Sequence, residues 1–381
     1  MTERTIYLDY AATTPVDPEV LNAMLPFLGD RFGNPSSVHR MGQEARRAVD
    51  QSRDTIAAAI NADSSEIFFT SGGTEADNAA LFGVLRAGVA RGRTHLVTTA
   101  IEHHAVLDAA MRLARTVPFT VSLLPVDQEG FVSPEAARAA INERTALVSV
   151  MHANNEIGTI QDIRSLAEMA HAFGAYFHTD AVQTFGQMPI DVEGLGIDLM
   201  TLSAHKIYGP KGIGALYARQ GVDWHPFHLG GQQEREKRAG TENVPGIVGF
   251  GKATELMRGW RDREAQRLGE LRDRFVRDVT EGIPGSRLNG PTTRRLPNNA
   301  NFSFTRTDGE TLLLALDMAG IAASSGSACA SGSIEPSHVL AALGLEESMV
   351  RSAVRFSLGR QTVADDLAIT ADVLKRILRG R

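Results

Sequence analysis

The sequence predicts an α/β protein built on a largely parallel sheet. Two observations carry this: β-rich runs alternate with helical patterns from about residue 64 to 218, and the spacing between runs suits strand–helix–strand crossovers. The runs are 67–71, 95–99, 119–124, 146–151, 175–180, 199–203 and 213–217. Right-handed crossovers would place most loops that follow strands along one edge of the sheet, so a ligand is expected there.

Upstream, 17–28 and 39–60 read as helices expected to pack on the large domain; the first has Pro18 near its start and Leu21, Met24, Leu25 and Leu28 at helical spacing. Downstream, 247–279 is a long helical pattern rich in Arg and Glu that suits a connection between domains. Beyond it lie a strand candidate at 299–304, a helix at 310–319, a loop at about 321–337, and helices near 336–343 and 364–378. A chain of 381 residues favours one large domain with a smaller companion. The expected division is a large domain over 16–259 and a smaller α+β domain formed by 1–15 and 260–381.

Composition narrows the function. There is no apolar run near the roughly 18 residues a membrane span needs, and no signal-peptide pattern at the polar start MTERTIYLDY, so cytoplasmic residence is expected. Lys plus Arg total 39 against 45 Asp plus Glu, and the charges are scattered, so no basic stripe offers a nucleic-acid footprint. The single cysteine, Cys329, excludes an internal disulfide and any cluster or zinc site built by this chain from several thiolates.

Four segments carry chemistry. FFTSGGTEADN (68–78) is a strand running through Gly72 and Gly73 into a helix, a turn that presents free N–H groups to an anion. The plain alternative is an ordinary β-to-α turn with Thr74 as N-cap. It lacks the pattern of a nucleotide P-loop. HTDAVQ (178–183) places Asp180 at the end of an apolar strand, where a buried carboxylate needs a cationic or N–H partner unless it caps a helix. SAHKIYGPKG (203–212) sets Lys206 after a strand and before glycines that allow close backbone approach, with Lys211 the competing amine. IAASSGSACASGSIEPS (321–337) surrounds Cys329 with small polar residues, unlike the apolar setting of an inert buried thiol, and suits a mobile loop. Each segment alone has a bland reading. Together they supply an anion cup, a carboxylate, an amine and a thiol, the set that pyridoxal-phosphate chemistry on a sulfur substrate requires.

The chain resembles the cysteine desulfurases of the NifS/IscS type, in the class V aminotransferase group of fold-type-I pyridoxal-phosphate enzymes. The resemblance runs through YLDYAATTPVDPEV (7–20), FGNPSSVHRMG (32–42), SGGTEADN, EHHAVLD (102–108), MHANNEIGTIQDI (151–163), HTDAVQ, SAHKIYGPKGIG, RAGTEN (238–243), SSGSACASGSIEPSHVL (324–340) and RFSLGR (355–360). It implies a large domain with a mainly parallel seven-stranded sheet and a smaller α+β domain carrying the cysteine loop.

By the same resemblance, Lys206 is the Schiff-base lysine, Asp180 the acid that pairs with the pyridine nitrogen, Gln183 the partner of the ring phenolate, and His103 the imidazole that stacks over the ring and moves protons. His104 is expected to be a bystander. The phosphate is assigned to Gly73, Thr74, Ser203 and His205, joined by Thr241 of the partner subunit, which presupposes a homodimer. The substrate carboxylate is assigned to Arg355, assisted by Asn155 and Asn34. Cys329 receives the sulfur of L-cysteine as a persulfide, releasing alanine, for delivery to an iron-sulfur scaffold or another acceptor protein. No resident metal is expected, although Cys329 could contact a cluster in transit. The stretch around Cys329 resembles the family group with the longer catalytic loop; the sequence ends at LKRILRGR without a longer tail, so scaffold docking is expected to be absent or to use another surface.

Competing readings are a selenocysteine or cysteine-sulfinate lyase, a class V aminotransferase, and a catalytically inactive partner protein. Cys329 in its loop argues for desulfuration over the first two.

Overall fold

The computed structural model describes residues 5–116, 118–305, 307–325 and 336–379. A short strand β1 (Ile6–Tyr7) precedes helices α1 (Pro18–Leu28) and α2 (Arg40–Ala59). Asp17 caps α1 by accepting from the Glu19 N–H, and Pro18 sits where a missing N–H costs no hydrogen bond. His39 caps α2 through the Gly42 N–H.

Strands and helices then alternate: β2 (Ile67–Thr70), α3 (Gly73–Val89), β3 (His95–Thr99), α4 (His104–Thr116), β4 (Thr120–Leu124), α5 (Pro134–Ala140), β5 (Thr145–Ser149), α6 (Ile163–Ala172), β6 (Tyr176–Asp180), β7 (Leu199–Ser203) and β8 (Gly214–Ala218). These strands form one seven-stranded sheet in the order β2-β8-β7-β6-β5-β3-β4. β8 runs antiparallel to both neighbours, while the other adjacent pairs are parallel.

The 39-residue helix α7 (Val244–Gly282) leads out of this layer. It is followed by β9 (Ser286–Leu288), β10 (Asn299–Phe304), α8 (Gly309–Met318), β11 (Ile321–Ala322), α9 (His338–Ala342), α10 (Glu347–Arg351), β12 (Val354–Ser357) and α11 (Ala364–Arg379). Strands β9, β10 and β12 form an antiparallel sheet, and β1 pairs in parallel with β11 through Ile6↔Ile321 and Tyr7↔Ala322. The stretch expected to be loop from 321 thus opens as a strand.

Alternation along the central strands explains the layers. Phe69, Val97, Val148, Phe177 and Met200 face α2, α6 and α7, whereas Phe68, Leu96, Leu147 and Leu199 face α3 and α4. A separate core gathers Phe275, Phe302 and Phe356 with Leu312 and Leu374; Phe275 meets Phe356 edge-on at 5.3 Å between ring centroids. Helix α7 serves both cores, with Ile247, Phe250 and Met257 in the first and Leu268, Phe275 and Val279 in the second.

Helix α1 departs from the expected packing. It buries Val20 and rests Met24 and Phe27 against the core, but Leu21, Leu25 and Leu28 stand exposed at 47%, 52% and 63%. Its apolar residues cover more of the helix circumference than one neighbour, α7, can bury.

Glycines let α7 lie close on its neighbours. A Cβ at Gly251 would come within 2.7 Å of Ser52 Cβ on α2, and one at Gly249 within 2.7 Å of Met24 Sδ on α1. Backbone must shift to admit a side chain at Gly251, so Gly251→Val should cost about 1–3 kcal/mol, read as a lowered midpoint in chemical denaturation, whereas Gly259→Ala, which meets nothing within 4 Å, should not destabilise.

Candidate active site

The carboxyl ends of the parallel strands converge on a cavity of about 320 Å³. β2 delivers Gly73 and Thr74, β6 delivers Asp180, and β7 delivers Ser203, followed by a 3-10 turn that carries His205 and Lys206. The segments after β3 and β5 add His103, Met151 and Asn155, the N-terminal segment adds Ala11 and Ala12, and Arg355 enters from β12.

Close backbone approach makes the floor. Gly214 on β8 lies against the turn at Gly72, where an added Cβ would fall 2.7 Å from the Gly72 carbonyl carbon. Gly209 folds back on Ala204 in the same way, its Cβ position 2.8 Å from the Ala204 oxygen, which tightens the turn that presents Lys206. Helix α3 starts at Gly73 with Gly72 as N-cap and no side-chain cap, so Thr74 lies inside the first turn and is not the cap. No helix begins at Asp180 either; its Oδ1 accepts from the Val182 N–H at 2.9 Å.

Lys206 Nζ donates to the carbonyls of Ala11 and Ala12. Gln183 Nε2 reaches the Ala11 oxygen at 3.1 Å, and His205 Nδ1 lies 3.1 Å from Thr13 Oγ1. Arg355 Nη2 donates to Asp9 Oδ1 at 2.7 Å and Nη1 to the Asn155 oxygen at 3.0 Å, while its buried Nε has no partner among the described residues. Asp9 therefore holds the guanidinium in place with one fork position still to be met.

The electrostatics are those of a desolvated cluster. Burial, reinforced by Asp180, raises Asp77 well above the ordinary carboxyl range. Burial also raises Asp180, against the opposing Val182 N–H and the Lys206 charge. Glu102 is pushed up to about 8 by burial, although the Met151 N–H and the Thr99 hydroxyl stabilise its charge. His103 is lowered to about 4 by burial and then by Lys206, His104 and His338, so it is neutral at physiological pH. His205 falls to about 4 by burial and by Lys206 and Lys211. Such shifts concentrate where groups are set for proton transfer.

The cavity thus gathers Lys206, His103, Gly73, Thr74, Asn155, Asp180, Gln183, Ser203, His205 and Arg355 from the sequence expectations. Asn34 is not brought to it: this exposed residue sits between α1 and α2, and its amide oxygen accepts from the Ser36 N–H at 2.9 Å. Thr241 is also exposed and outside the lining. Cys329 lies outside the described residues. His104 tilts against His338 with ring centroids 4.7 Å apart. Asp9 and Asp77 were not singled out from the sequence. Asp77 shares its motif with Glu75 in a helical first turn, where both acids read as complements to the helix dipole; the signal that could have separated them is that the carboxylate two residues further on falls on the sheet-facing side.

The chain belongs to the class-V aminotransferase family, which matches residues 6–369, and so to a family of pyridoxal-phosphate enzymes. Within that family it is similar to proteins named cysteine desulfurase IscS: it is 53% identical over 376 residues to that of Dictyoglomus turgidum, covering 99% of this chain and 95% of the relative. It is 49% identical over 376 residues to that of Methanosarcina thermophila, covering 99% and 92%. Among solved structures, a NifS-like protein superposes with a TM-score of 0.93 at 36% identity, covering 99% of this chain and 100% of that one. DndA from Streptomyces lividans gives 0.78 at 37% identity, covering 92% and 99%.

The residues present fit pyridoxal phosphate. The uncapped first turn of α3 offers backbone N–H groups to a phosphate, and at Gly73 a Cβ would crowd Val182 Cγ2 at 2.9 Å. Asp180, buried and raised, wants a cationic partner such as a protonated ring nitrogen, and the same cavity holds Lys206.

Two buried imidazoles beside the cavity, His152 and His178, are lowered to about 4 and about 3 by burial. Unfolded histidines bind a proton below about 6.5, whereas these do not, so their contribution to stability is present above that pH and is lost as pH falls toward 4. Glu102 acts oppositely, since its folded form keeps a proton that the unfolded form releases above about 4.5. His178→Gln should therefore flatten the fall in unfolding free energy between pH 6.5 and 4.5 by up to about 1.4 kcal/mol per pH unit relative to the parent, measured by denaturant titration; parallel pH curves would contradict the neutral assignment.

Proposed function

We propose that the chain is a pyridoxal-phosphate-dependent cysteine desulfurase that converts L-cysteine to L-alanine and holds the sulfur on Cys329 as a persulfide. The observation that carries this reading is the single cavity that sets Lys206, Asp180 and a neutral His103 against the buried guanidinium of Arg355. The cofactor, when bound, supplies an electron sink for the bonds broken at the substrate.

Lys206 would hold the cofactor covalently, and its amine, in the same cavity, is placed to carry the substrate Cα proton. Asp180 would pair with the ring nitrogen and Gln183 with the ring oxygen, and Gly73, Thr74, Ser203 and His205 would hold the phosphate. Arg355, steadied by Asp9, takes the substrate carboxylate beside Asn155. His103 remains neutral down to about pH 4 and so can accept a proton throughout the working range. The Cys329 thiolate attacks the substrate sulfur: the S–S bond forms as the Cβ–S bond breaks, Cβ retains the electron pair and gains a proton, and alanine leaves.

The same reading includes a homodimer in which Thr241 serves the second copy's site. The exposed leucines Leu21, Leu25 and Leu28, at helical spacing on α1, support it, since an uncovered apolar face marks an association surface. It also takes 16–259 as the large domain and 1–15 with 260–381 as the small one, a change that falls within α7. A cytoplasmic enzyme delivering sulfur to an iron-sulfur scaffold or another acceptor protein completes it; no helix among the described residues is long and apolar enough to cross a membrane.

Incubation with L-cysteine and a dithiol reductant, which reduces the persulfide and releases its outer sulfur as sulfide, tests the reaction, with alanine and sulfide in equal yield expected and keto-acid formation favouring the aminotransferase alternative. Cys329→Ser should abolish persulfide and sulfide while the protein keeps its cofactor colour, and undiminished sulfur release would overturn the assignment. Lys206→Ala should lose the visible absorbance of the lysine-linked cofactor. His103→Gln should lower kcat roughly 10²-fold or more and remove an acid limb of kcat/KM centred near pH 4, not near 6.5.

A further inference from the structure

Glu156 is a buried acid that the proposed reaction does not use. It follows Asn155 in the segment after β5, is 3% exposed, and is tied down through both its backbone and its carboxylate. Its N–H donates to Asn154 Oδ1 at 2.9 Å, and Asn154 in turn donates to the Ile101 carbonyl at 2.8 Å. Its carbonyl accepts from the side chains of Asn299 and Asn301 on β10 at 3.1 and 3.2 Å. A segment that lines the cavity is thereby fastened to the smaller sheet.

The carboxylate meets a third part of the chain. Glu156 Oε2 accepts from the Ser337 hydroxyl at 2.6 Å, and Ser337, also buried, caps α9 by accepting from the Leu340 N–H at 3.1 Å. The next residue, His338, donates from Nε2 to the Glu102 carbonyl at 2.9 Å. Burial raises Glu156 above the ordinary carboxyl range, opposed first by the Ser337 hydroxyl and then by His338, Arg355 and His104. An apolar side chain of similar volume would fill the same space without the desolvation cost, so stability alone does not account for the acid.

Both ends of the stretch that contains Cys329 are fastened to the cavity wall. Ser324 exchanges two backbone hydrogen bonds with Arg355 itself, at 2.6 and 3.2 Å. Ser337 meets Glu156 beside Asn155, whose carbonyl holds the Arg355 guanidinium. Cys329 stands five residues after the first point and eight before the second. A chain spans at most about 3.5 Å per residue, so the two points bound the volume that a thiol at 329 can reach, and a shift of either moves that volume relative to Arg355.

We infer that Glu156 is a positioning residue for sulfur transfer: through Ser337 it fixes the point from which the chain departs toward Cys329. The inference rests on the desulfurase reading above. It assigns Glu156 to the transfer step and leaves capture of the substrate to Arg355 and Lys206.

The test follows the two steps separately. On rapid mixing of cofactor-loaded enzyme with L-cysteine, Glu156→Leu and Ser337→Ala should each leave the first change in cofactor absorbance, and the L-cysteine concentration that half-saturates it, as in the parent. Persulfide on Cys329 should form roughly tenfold more slowly in both, the strength of about one hydrogen bond. Glu156→Gln, whose amide oxygen still accepts from Ser337, should recover most of the rate, and the double variant should be no slower than either single one. A nitroxide label on Cys329, the only cysteine, gives a readout without turnover: its spectrum should show greater mobility in Glu156→Leu and Ser337→Ala than in the parent, and near-parental mobility in Glu156→Gln. Glu156→Met replaces Glu156→Leu if the latter does not fold. Persulfide formed at the parental rate, an unchanged label spectrum, or a slowed first absorbance change overturns the inference. So does slowing in Ser337→Ala alone, which assigns the effect to the cap of α9. A parent that carries no persulfide after L-cysteine overturns the desulfurase reading itself and this inference with it.

Discussion

Three carboxylates, Asp77, Glu102 and Asp180, are withdrawn from water beneath one cavity; burial raises each of them, and Asp180 raises the other two further. In a low-dielectric setting they cannot all carry charge, and the described cation nearest in effect to Asp180 is Lys206. The surrounding structure is arranged to tolerate that condition: His152 and His178 stay neutral, the Met151 N–H and the Thr99 hydroxyl support Glu102, and Val182 supports Asp180. A ligand that brings a positive ring nitrogen to Asp180 relieves the cluster, so cofactor affinity and local electrostatic strain are the same property seen from two sides.

The anionic floor is matched by a cationic wall. Arg355 comes from β12, yet its guanidinium is oriented by Asp9 near the chain start and by the Asn155 carbonyl after β5. The guanidinium therefore depends on contacts among three distant segments of the chain, whereas Asp180, Ser203 and Lys206 stand at or just after adjacent strand ends of one sheet.

That contrast explains what could be read beforehand. Buried parallel strands are near-continuous apolar runs, so those ending at Asp180 and Ser203 were legible to the residue, and the groups that follow them, including Lys206, were placed with them. The long α7 was legible from its periodicity, with ends three residues beyond those expected. Less visible were features created by packing alone. Asp77 and Glu75 differ only in which side of α3 they occupy, yet one is buried under the cavity and the other is gripped by Arg238. Leucines at helical spacing in α1 suggested a buried face, but spacing does not tell whether the covering surface comes from the same chain. Nor does any local pattern announce the left-handed turn at Glu234, whose carboxylate accepts from the Phe69 N–H on the edge strand β2.

The pairing of β1 with β11 joins Ile6 to Ile321. The segment just after β1 contributes Ala11 and Ala12 to the cavity and Asp9 to Arg355. The two strands are far apart in sequence, so β1 cannot dock before β11 has been made, a loop closure of very high contact order. The central sheet and its glycine turn can form earlier, but the part of the cavity wall that follows β1 is set only once β11 has joined it. Assembly of the cavity therefore trails formation of the sheet it stands on.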